Sequence, residues 1–520
     1  MRRPRADRAD RADRRERGRA RGGDEPSALG RSSPVRGVAA LALVAFLPFL
    51  ALCRPSAASP ERPSPRTVAE RPAAVAGTPD EPFLDDLERQ TFRWFWDLTD
   101  PVTGLTPDRA PTPSFSSVAA VGFGLTAYVV GAERGWVTRA DAAARAEKTL
   151  RFLLASPSGD ARTGMTRYRG FFYHFLDMHT GARFKDVELS TIDSTLLAAG
   201  ALTCAGYFDR DDPVEREIRS MADALYRDMD WSWASPRPPG VSMGWTPEEG
   251  FHEMNWHGYD ESMILYVLAL GSPTHPADPA AWTEWTSTYR WGEFYGEPQV
   301  NFSPLFGHQF SHVWIDFRGI QDAYMRSKGI DYFENSRRAV LSQRAYAVAN
   351  PSGFDGYGRD VWGLTACDGP LDGTVSVGGA TRSFQGYAAR GASLLNVIDD
   401  GTLAPTAAAS SVPFAPEIAV PALRAMTGRW GGHLRNAYGF LDAFNPTLRD
   451  PAVRTASGTV VAGVGWFDVD QLGIDQGPIV AMIENSRSEL IWRVMRRNPY
   501  VVAGLRKAGF TGGWLERGSP

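Results

Sequence analysis

The sequence predicts an all-α domain in which helical hairpins close on themselves, an α/α toroid, with an irregular helical bundle as the alternative. Apolar side chains recur with a period near 3.6 residues in long segments, beginning with Phe83, Leu84 and Leu87. About a dozen such segments follow one another, and no run of βαβ units lies among them. No repeat of fixed length is visible, so we do not expect a regular solenoid.

Cap and turn residues bound the predicted helices in chain order. Ser116–Ser117 opens the second helix, and Gly271 closes the helix that begins near Asp260. The predicted helices are 83–99, 116–135, 138–156, 188–208, 212–230, 260–271, 311–329, 331–350, 382–400, 415–430 and 477–497. Loops rich in Gly, Pro and Trp, such as 231–258 and 351–382, separate them, and in a toroid helix ends and long loops form the cleft.

Charge and composition restrict the possible partners. Residues 1–36 contain twelve Arg and six acidic residues, whereas the rest of the chain contains 44 basic and 54 acidic side chains. An acidic body argues against nucleic acid as a partner, because phosphate binding needs a basic face. The 16 Trp, 27 Phe and 16 Tyr predict either a large aromatic core or flat faces that bind a ligand such as a sugar.

The amino-terminal region predicts export. An Arg-rich stretch precedes the apolar run 37–53, which is too short and too broken by Pro48 for a membrane-spanning helix. The ending LALC at Cys53 resembles a bacterial lipobox, although Leu52 stands where a small residue is expected. A lipid-anchored Cys53, an ordinary signal peptide and a cytoplasmic protein stay open. Residues 54–80 predict a disordered tether, and 81–515 a single catalytic domain.

Three segments resemble nucleotide-binding or metal-binding motifs but have the wrong spacing or the wrong sequence context. The segment 122–127, GFGLTA, matches a relaxed dinucleotide fingerprint but has helical flanks, so close helix packing is the better interpretation. The segment 252–257, HEMNWH, is one residue too long for a zinc-binding H-E-x-x-H. His308 and His312 have metal-ligand spacing without a third ligand, so hydrogen bonding is the better prediction. The lone Cys204 and Cys367 form no disulfide framework.

The strongest indication of a catalytic residue is an acidic side chain, Glu261, on the apolar face of a predicted helix. Asp260 can cap the following helix. Glu261 then shares a helical face with Ile264, Leu265 and Leu268. A carboxyl group among apolar side chains has a raised pKa, as a general acid requires. The helix dipole alone explains acids near a helix start, but not this alignment.

The same pattern recurs in two other segments, one before and one after Glu261 in the sequence. Asp193 lies in line with apolar residues after Glu188 and Ser190, which mark a helix start. Asp475 has the position of a helix cap, and Glu484 has the spacing to pair with Arg487. The segment 467–475 adds Asp468 and Asp470. Several inward acids among many aromatics are typical of a glycosidase, in which two carboxyl groups flank one bond.

Five segments, in the same order, resemble the bacterial glycoamylase-like domain of the endo-β-1,2-glucanases of glycoside hydrolase family 144. They are SSVAAVGFGLTAY (116–128), ELSTIDSTLLAAG (188–200), WHGYDESMILYVLALGSPTHP (256–276), PLFGHQFSHVWIDFRGIQDAY (304–324) and GIDQGPIVAMIENSR (473–487). The similarity extends from about residue 83 to 510. It implies an (α/α)6 toroid and hydrolysis of β-1,2-glucan with inversion, without a metal or other cofactor.

The resemblance also implies residue roles. The acid Glu of the family motif G-Y-N-E-A-M corresponds to Glu261 of GYDESM, where Asp260 and Ser262 depart from the usual Asn and Ala. Acids of the family's other motifs correspond to Asp193 and Asp475. Glu261 is thereby expected to protonate the leaving oxygen, and Asp475, with Asp193 as the alternative, to help deprotonate the attacking water.

The other expected site residues bind the glucan. They are Glu188, Trp256, Tyr259, His308, His312, Trp314, Asp316, Arg318, Gln476 and Glu484. Candidates for stacking on sugar rings, of which only some should line the cleft, are Trp94, Trp96, Trp245, Trp256, Trp314, Trp362 and Trp466. We expect a monomer that meets a membrane only through its signal or lipid anchor. The alternatives are a transglycosylase, a hydrolase for another glucan, or a non-catalytic glycan-binding surface lipoprotein.

Overall fold

The structure is a computed structural model that describes residues 77–516. The predicted signal region 1–53 with Cys53, and all but the last four residues of the predicted tether 54–80, lie outside the described residues. Between residues 77 and 516, no helix combines the length and the apolar character needed to cross a bilayer.

Helices dominate residues 77–516, in agreement with the 3.6-residue period of the sequence. They are α1 (Glu81–Leu98), α2 (Val118–Glu133), α3 (Arg139–Ala155), α4 (Thr191–Tyr207), α5 (Pro213–Asp228), α6 (Met263–Gly271), α7 (Ala281–Ser287), α8 (Phe310–Trp314), α9 (Ala323–Lys328), α10 (Tyr332–Ala349), α11 (Pro405–Ala409), α12 (Pro416–Leu434), α13 (Gly473–Ser488), α14 (Leu490–Met495), α15 (Pro499–Lys507) and α16 (Gly513–Glu516). A 3₁₀ turn, Leu305–His308, leads into α8. The mostly helical fold is therefore confirmed.

Polar side chains start several helices where the sequence places a cap. Ser117 accepts the Ala120 N–H at the start of α2, and Ser190 accepts the Asp193 N–H at the start of α4. Asp475 departs from its predicted role as a cap, because α13 already begins at Gly473 and Asp475 lies in its first turn.

Short strands in the connecting loops depart from the all-α prediction. They are β1 (Arg109–Ala110), β2 (Ser116–Ser117), β3 (Arg167–Tyr168), β4 (Phe171–Phe172), β5 (Phe175–Leu176), β6 (Leu189–Ser190), β7 (Gly244–Thr246), β8 (Gly250–Phe251), β9 (Trp291–Phe294), β10 (Glu297–Val300), β11 (Ala366–Cys367), β12 (Gly373–Val377), β13 (Ala380–Phe384), β14 (Ala388–Ala389), β15 (Gly391–Ala392), β16 (Val397–Ile398), β17 (Arg435–Asn436), β18 (Gly439–Phe440), β19 (Phe444–Asn445), β20 (Thr459–Val461), β21 (Gly465–Phe467) and β22 (Gln471–Leu472). Strands of two to five residues are too short for a visible two-residue period.

The strands pair antiparallel and lead into helices. The sheets are β1–β22, β2–β5, β3–β4, β6–β7–β8, β9–β10, β11–β14, β12–β13, β15–β16, β17–β18 and β19–β21–β20. Register partners are Ser117 and Phe175 in β2–β5, and Ser190 and Gly244 in β6–β7. Because β2, β6 and β22 end directly before α2, α4 and α13, these pairs hold the starts of three helices.

The helix predicted at 382–400 is wrong. This segment forms the strands β13 to β16, and its Leu394, Leu395 and Val397 are exposed. The buried Arg390 organises it by donating to both carboxylate oxygens of Asp400 at 2.8 Å. The helix predicted at 311–329 is also interrupted, since an extended stretch separates α8 from α9.

Helix α2 packs between α4 and α13. A Cβ atom on Gly122 of α2 would lie 2.3 Å from the Leu196 carbonyl oxygen of α4, and one on Gly200 would lie 2.1 Å from the Gly122 carbonyl oxygen. The GFGLTA glycine at 122 thus permits close helix packing, as predicted, rather than nucleotide binding. Cys204 is buried beside it in α4 and is free, as is the buried Cys367.

Further contacts join the other helices pairwise. Helix α4 packs against α5 and α6, and α6 packs against α8. The Gln309 side chain, at the start of α8, donates to the Ala407 carbonyl and the Ser411 hydroxyl at 2.9 Å beside α11. Helix α11 packs against α12 and α13, and α13 packs against α1 and α2.

Candidate active site

The first turns of neighbouring helices are joined at one end of the helical array. Thr406 of α11 donates its hydroxyl to the Asp475 carbonyl at 2.8 Å. Ser311 of α8 donates to the Glu261 carbonyl at 2.7 Å, just before α6. Ionisable side chains near these helix starts form one set, in which each member interacts electrostatically with at least one other. We call this set the acidic site. Its members are Asp108, Arg109, His174, Glu188, Asp193, Asp260, Glu261, Asp368, Asp442, Asp468 and Asp475.

Glu261 lies in the turn before α6, which begins at Met263, and not one position inside the helix as predicted. Ser311 fixes this turn, because its Oγ also accepts the Ile264 N–H at 3.0 Å. Asp260 does not cap the helix interior either; its Oδ1 accepts the Ser262 N–H at 2.9 Å. The Glu261 side chain is half-buried and therefore partly accessible.

The environment favours the protonated form of Glu261. Burial raises the pKa of Glu261 well above its ordinary value, and the neighbouring Asp260 and Asp193 raise it further. Burial also raises the pKa of Asp260 to about 7. A protonated carboxyl group that is still partly accessible has the properties of a general acid.

Asp193 and Glu188 share one histidine that the sequence analysis did not identify. His174 Nδ1 lies 2.8 Å from Glu188 Oε1, and His174 Nε2 lies 3.5 Å from Asp193 Oδ2. Asp193, in the first turn of α4, is buried and also accepts the Ser190 hydroxyl. His174 carries no motif of its own, since it precedes β5 within a run of aromatic residues.

Asp475 pairs with a second residue that the sequence analysis missed, Asp442. The two carboxyl groups lie within hydrogen-bonding reach, and burial raises the pKa of both, that of Asp475 to about 7 and that of Asp442 well above its ordinary value. Asp442 Oδ2 also accepts the Asp368 N–H at 2.8 Å. One proton shared between Asp442 and Asp475 reduces the like-charge repulsion of this pair.

A cluster of acids adjoins this pair. Asp368, Asp442 and Asp468 each offer a carboxylate oxygen within 4.8 Å of the others, a set that could hold a cation. Arg109 supplies a positive charge there, with its guanidinium 2.5 Å from Asp368 Oδ2 and 3.2 Å from Asp108 Oδ2. Asp108, Asp368 and Asp442 come from loops far apart in the sequence, so no spacing signal could have identified them.

Several predicted binding residues lie beside the acidic site. Glu188 is half-buried against His174. The buried Trp256 donates its Nε1–H to Thr191 at the start of α4, at 3.0 Å. Gln476 is buried next to Asp475 and donates to the Phe440 carbonyl at 3.1 Å.

The predicted cleft residues Tyr259, His308, His312 and Trp314 instead belong to the core. His312 Nε2 is 3.0 Å from the Ser336 hydroxyl, and the Trp314 Nε1–H is bonded to Thr126. The buried Tyr259 packs on His308, with ring centroids 4.8 Å apart. Burial lowers the pKa of His308 to about 4 and that of His312 to about 3, so both are neutral.

The structure places Asp316, Arg318 and Glu484 in ion pairs outside the acidic site. Asp316 is bound by Arg318 and Arg496 at the carboxyl end of α8. Arg318 also contacts Glu489 at the carboxyl end of α13. Asp475 lies in the first turn of α13, so Glu489 and Asp475 are roughly 20 Å apart along this helix.

Glu484 pairs with Arg134 at 2.6 Å rather than with Arg487. Arg487 instead binds Glu88 of α1 at 2.6 Å. Tertiary contacts therefore override the local i, i+3 spacing that suggested the Glu484–Arg487 pair.

Among the tryptophans proposed for stacking, Trp245 is the best placed. Trp94, Trp314, Trp362 and Trp466 are fully buried. Trp96 is covered by Arg145, whose guanidinium carbon lies 3.7 Å from its ring centroid. Trp245 is half-buried, and its strand β7 pairs with β6 directly beside Glu188.

Comparison with known proteins identifies relatives over most of the described chain. A family model described as "Glycoamylase: Putative glucoamylase" matches residues 253–499. A solved structure of the same description from Bacteroides uniformis is 32% identical, with a TM-score of 0.72, and the match covers 84% of this chain and 99% of that chain.

Two further relatives are named for their substrates. An endo-β-1,2-glucanase from Chitinophaga pinensis, solved with sophorotriose and glucose, is 28% identical with a TM-score of 0.70, covering 84% of this chain and 99% of that chain. An exo-β-1,2-glucooligosaccharide sophorohydrolase (non-reducing end) from Parabacteroides distasonis is 29% identical over an alignment of 464 residues, which covers 82% of this chain. The chain spans 58% of the length of that sophorohydrolase.

Proposed function

This chain belongs to the glycoamylase-like family, and from that premise we propose that it hydrolyses β-1,2-linked glucan by endo cleavage, with inversion at the anomeric carbon. Relatives named for β-1,2-glucan and its oligosaccharides support the substrate. The endo mode is supported by the Chitinophaga relative, which is named an endo-β-1,2-glucanase and is 28% identical over 84% of this chain.

The proposed architecture is an (α/α)6 toroid with six inner helices. Contacts join α2 to α4, α4 to α6, α6 to α8, α11 to α13 and α13 back to α2. The Gln309 hydrogen bonds link α8 to α11. These six links support a closed ring whose inner helices alternate with outer ones, such as α3, α5 and α12.

In this ring Glu261 and Asp475 face each other. Two inner helices separate α6 from α13 on either side, so the two helices are opposite. With about 8–10 Å between adjacent axes, opposite axes of a six-membered ring are roughly 16–20 Å apart. Side chains reach roughly 5–6 Å from each axis. The remaining gap is compatible with the ~6.5–9.5 Å between carboxyl groups of inverting glycosidases.

The acid–base roles follow from the two environments. Glu261 protonates the glycosidic oxygen, directly or through a sugar hydroxyl, as the bond from that oxygen to the anomeric carbon breaks. A water attacks the opposite side of the same carbon and gives its proton to Asp475. The charge of Asp193 raises the pKa of Glu261, so we group Asp193 with the acid. This favours Asp475 over Asp193 as the base.

The observation that carries the proposal is the half-buried Glu261, whose surroundings raise its pKa well above the ordinary value. The test is the release of reducing ends from linear β-1,2-glucan by the wild type and by Glu261→Gln, with NMR of the newly formed anomer. We expect activity only in the wild type and the α-anomer as first product. Absence of wild-type activity would refute the substrate, a β-anomer would refute inversion, and sophorose as sole product would refute endo cleavage.

The amino-terminal pattern supports a further proposal, that the protein is exported and reaches its glucan outside the cytoplasm. Expression in a bacterial host, followed by fractionation and mass spectrometry of the mature amino terminus, tests it. A processed chain in the periplasm or outer membrane is expected, and an unprocessed cytoplasmic chain would contradict export.

A further inference from the structure

His174 contacts two acids of the acidic site and has no role in the acid–base steps above. Its Nδ1 lies 2.8 Å from Glu188 Oε1, and its Nε2 lies 3.5 Å from Asp193 Oδ2. A neutral imidazole has a proton on one nitrogen and a lone pair on the other. Since both nitrogens face carboxylates, the favourable form is the imidazolium, which donates from Nδ1 to Glu188 and forms an ion pair through Nε2 with Asp193.

The ring is held rigidly between the starts of two helices. The backbone N–H of His174 donates to the Glu188 carbonyl at 2.9 Å, and the backbone carbonyl of His174 accepts the Val118 N–H of α2 at 3.1 Å. The imidazole stacks on Phe175, with ring centroids 4.0 Å apart. His174 is only 8% exposed, so solvent screens the charge of its imidazolium weakly.

The charged groups that face His174 are predominantly acidic. They are Asp193 on α4, Glu188 before β6 and Asp108 before β1. Burial by itself lowers the pKa of His174, but these carboxylates outweigh burial and raise it to about 9. For Glu188 burial acts in the opposite direction and raises the pKa. The charges of His174 and His252 outweigh this effect, so the pKa of Glu188 lies below its ordinary value.

We propose that His174 is a positioning residue whose imidazolium holds Glu188 ionised and orients both Glu188 and Asp193, so that the two carboxyl groups accept hydrogen bonds from hydroxyl groups of the glucan bound beside Glu261. Ionised carboxylates accept stronger hydrogen bonds than neutral carboxyl groups. The inference rests on the proposed glucan hydrolysis and adds to it the charge state of Glu188 and the orientation of the Glu188–Asp193 pair.

The first test compares three substitutions of His174 across pH. His174→Gln keeps a donor near Asp193, His174→Asn keeps one near Glu188, and His174→Lys keeps the positive charge. Without the cation the Glu188 carboxyl group ionises at higher pH. We therefore expect the acid limb of kcat/KM for the Gln and Asn variants to move up by about one pH unit or more, mainly through KM.

The Lys variant should retain an acid limb close to that of the wild type, and the Gln and Asn variants should recover at alkaline pH. A merely structural role predicts a loss that is the same at every pH. Such a uniform loss, or an unchanged profile in the Gln and Asn variants, would overturn the proposal. Thermal unfolding and circular dichroism establish that each variant is folded before it is assayed.

A second test needs no activity and separates this inference from the proposed function. The protein has eight His residues, so the imidazole signal of His174 can be assigned by its absence from whichever of the Gln and Asn spectra comes from a folded variant. We expect a titration midpoint near 9. A midpoint at or below the ordinary value of about 6.5 would overturn the inference even if the enzyme is active. An inactive wild type with a midpoint near 9 would refute only the proposed reaction.

Discussion

The carboxyl group of Asp442 lies within hydrogen-bonding reach of that of Asp475, and this pairs a loop residue with the first turn of α13. Burial raises the pKa of both carboxyl groups, and the charges of Asp475 and Asp368 also raise that of Asp442. The pair can share one proton, and with that proton Asp442 acts as a hydrogen-bond donor to an ionised Asp475. This assigns Asp442 a role that the sequence did not reveal.

Replacing Asp442 tests this donor role. Asp442→Asn keeps a donor toward Asp475 and an oxygen for the Asp368 N–H, whereas Asp442→Ala keeps neither. We expect the acid limb of kcat to move by less than about 0.3 pH unit in the Asn variant and upward by about one unit in the Ala variant, because the ionised form of Asp475 loses a hydrogen bond. Equal profiles in the two variants would contradict the donor role.

Glu261→Gln should lower kcat by about 10³-fold or more, since general acid catalysis contributes ~10²–10⁴-fold. Its melting temperature should change little, because the protonated Glu261 and Gln are both neutral. Glu284→Gln on the exposed face of α7 is the control and should retain full activity. Initial rates on β-1,2-glucan and thermal unfolding provide the measurements. Near wild-type activity of Glu261→Gln would show that Glu261 is not the general acid.

The buried Asp260 should make stability depend on pH. In the unfolded chain its pKa is about 3.9, whereas burial raises the folded-state pKa to about 7. Unfolding between these values releases a proton, so Asp260 makes the free energy of unfolding fall as pH rises from about 4 to about 7. A shift of this size corresponds to a few kcal/mol, at ~1.4 kcal/mol per pKa unit.

Asp260→Asn cannot ionise but keeps an oxygen for the Ser262 N–H. We expect it to be more stable than the wild type at pH 8 and similar at pH 4, as measured by urea unfolding. Asp278→Asn is the matched control, because the exposed Asp278 accepts the Ala280 N–H at 2.8 Å in the same local arrangement. An equal effect of the two substitutions would contradict the burial argument.

Removal of metal ions should leave the enzyme active. Arg109 and the proton shared by Asp442 and Asp475 offset much of the negative charge near Asp368 and Asp468. We therefore expect less than about a twofold change in kcat and less than about 2 °C in melting temperature after dialysis against EDTA. A larger loss that Ca²⁺ restores would show that Asp368, Asp442 and Asp468 hold a cation.

Gly122→Ala should destabilise the fold by about 3 kcal/mol or prevent folding, because its Cβ would lie 2.3 Å from a backbone oxygen of α4. Gly428→Ala in α12 is the control: the Cβ has no neighbour within 4 Å, and a helical Ala should stabilise by about 0.5–1 kcal/mol. Urea unfolding compares the two. A tolerated Gly122→Ala would mean that α2 and α4 can separate.

Much of the fold was predictable, because helix periods and caps are local signals. Ser117 and Ser190 start their helices as expected, and α1 to α5 follow the predicted segments closely. The helix predicted at 382–400 failed since its periodic apolar residues are exposed, while the buried Arg390–Asp400 pair organises the segment. Strand pairs such as β6–β7 depend on a partner more than fifty residues away, which periodicity does not reveal.

The sequence by itself determined the helical class, the family and the three acids placed at helix starts, because side chains at a helix start carry local signals of composition and spacing. Only the tertiary structure decided which charges meet. It brought His174 to Asp193 and Asp442 to Asp475, and it buried His312 and Trp314 in the core. Burial and the charge of a distant neighbour set the pKa of a carboxyl group, and both arise only when separate loops pack together.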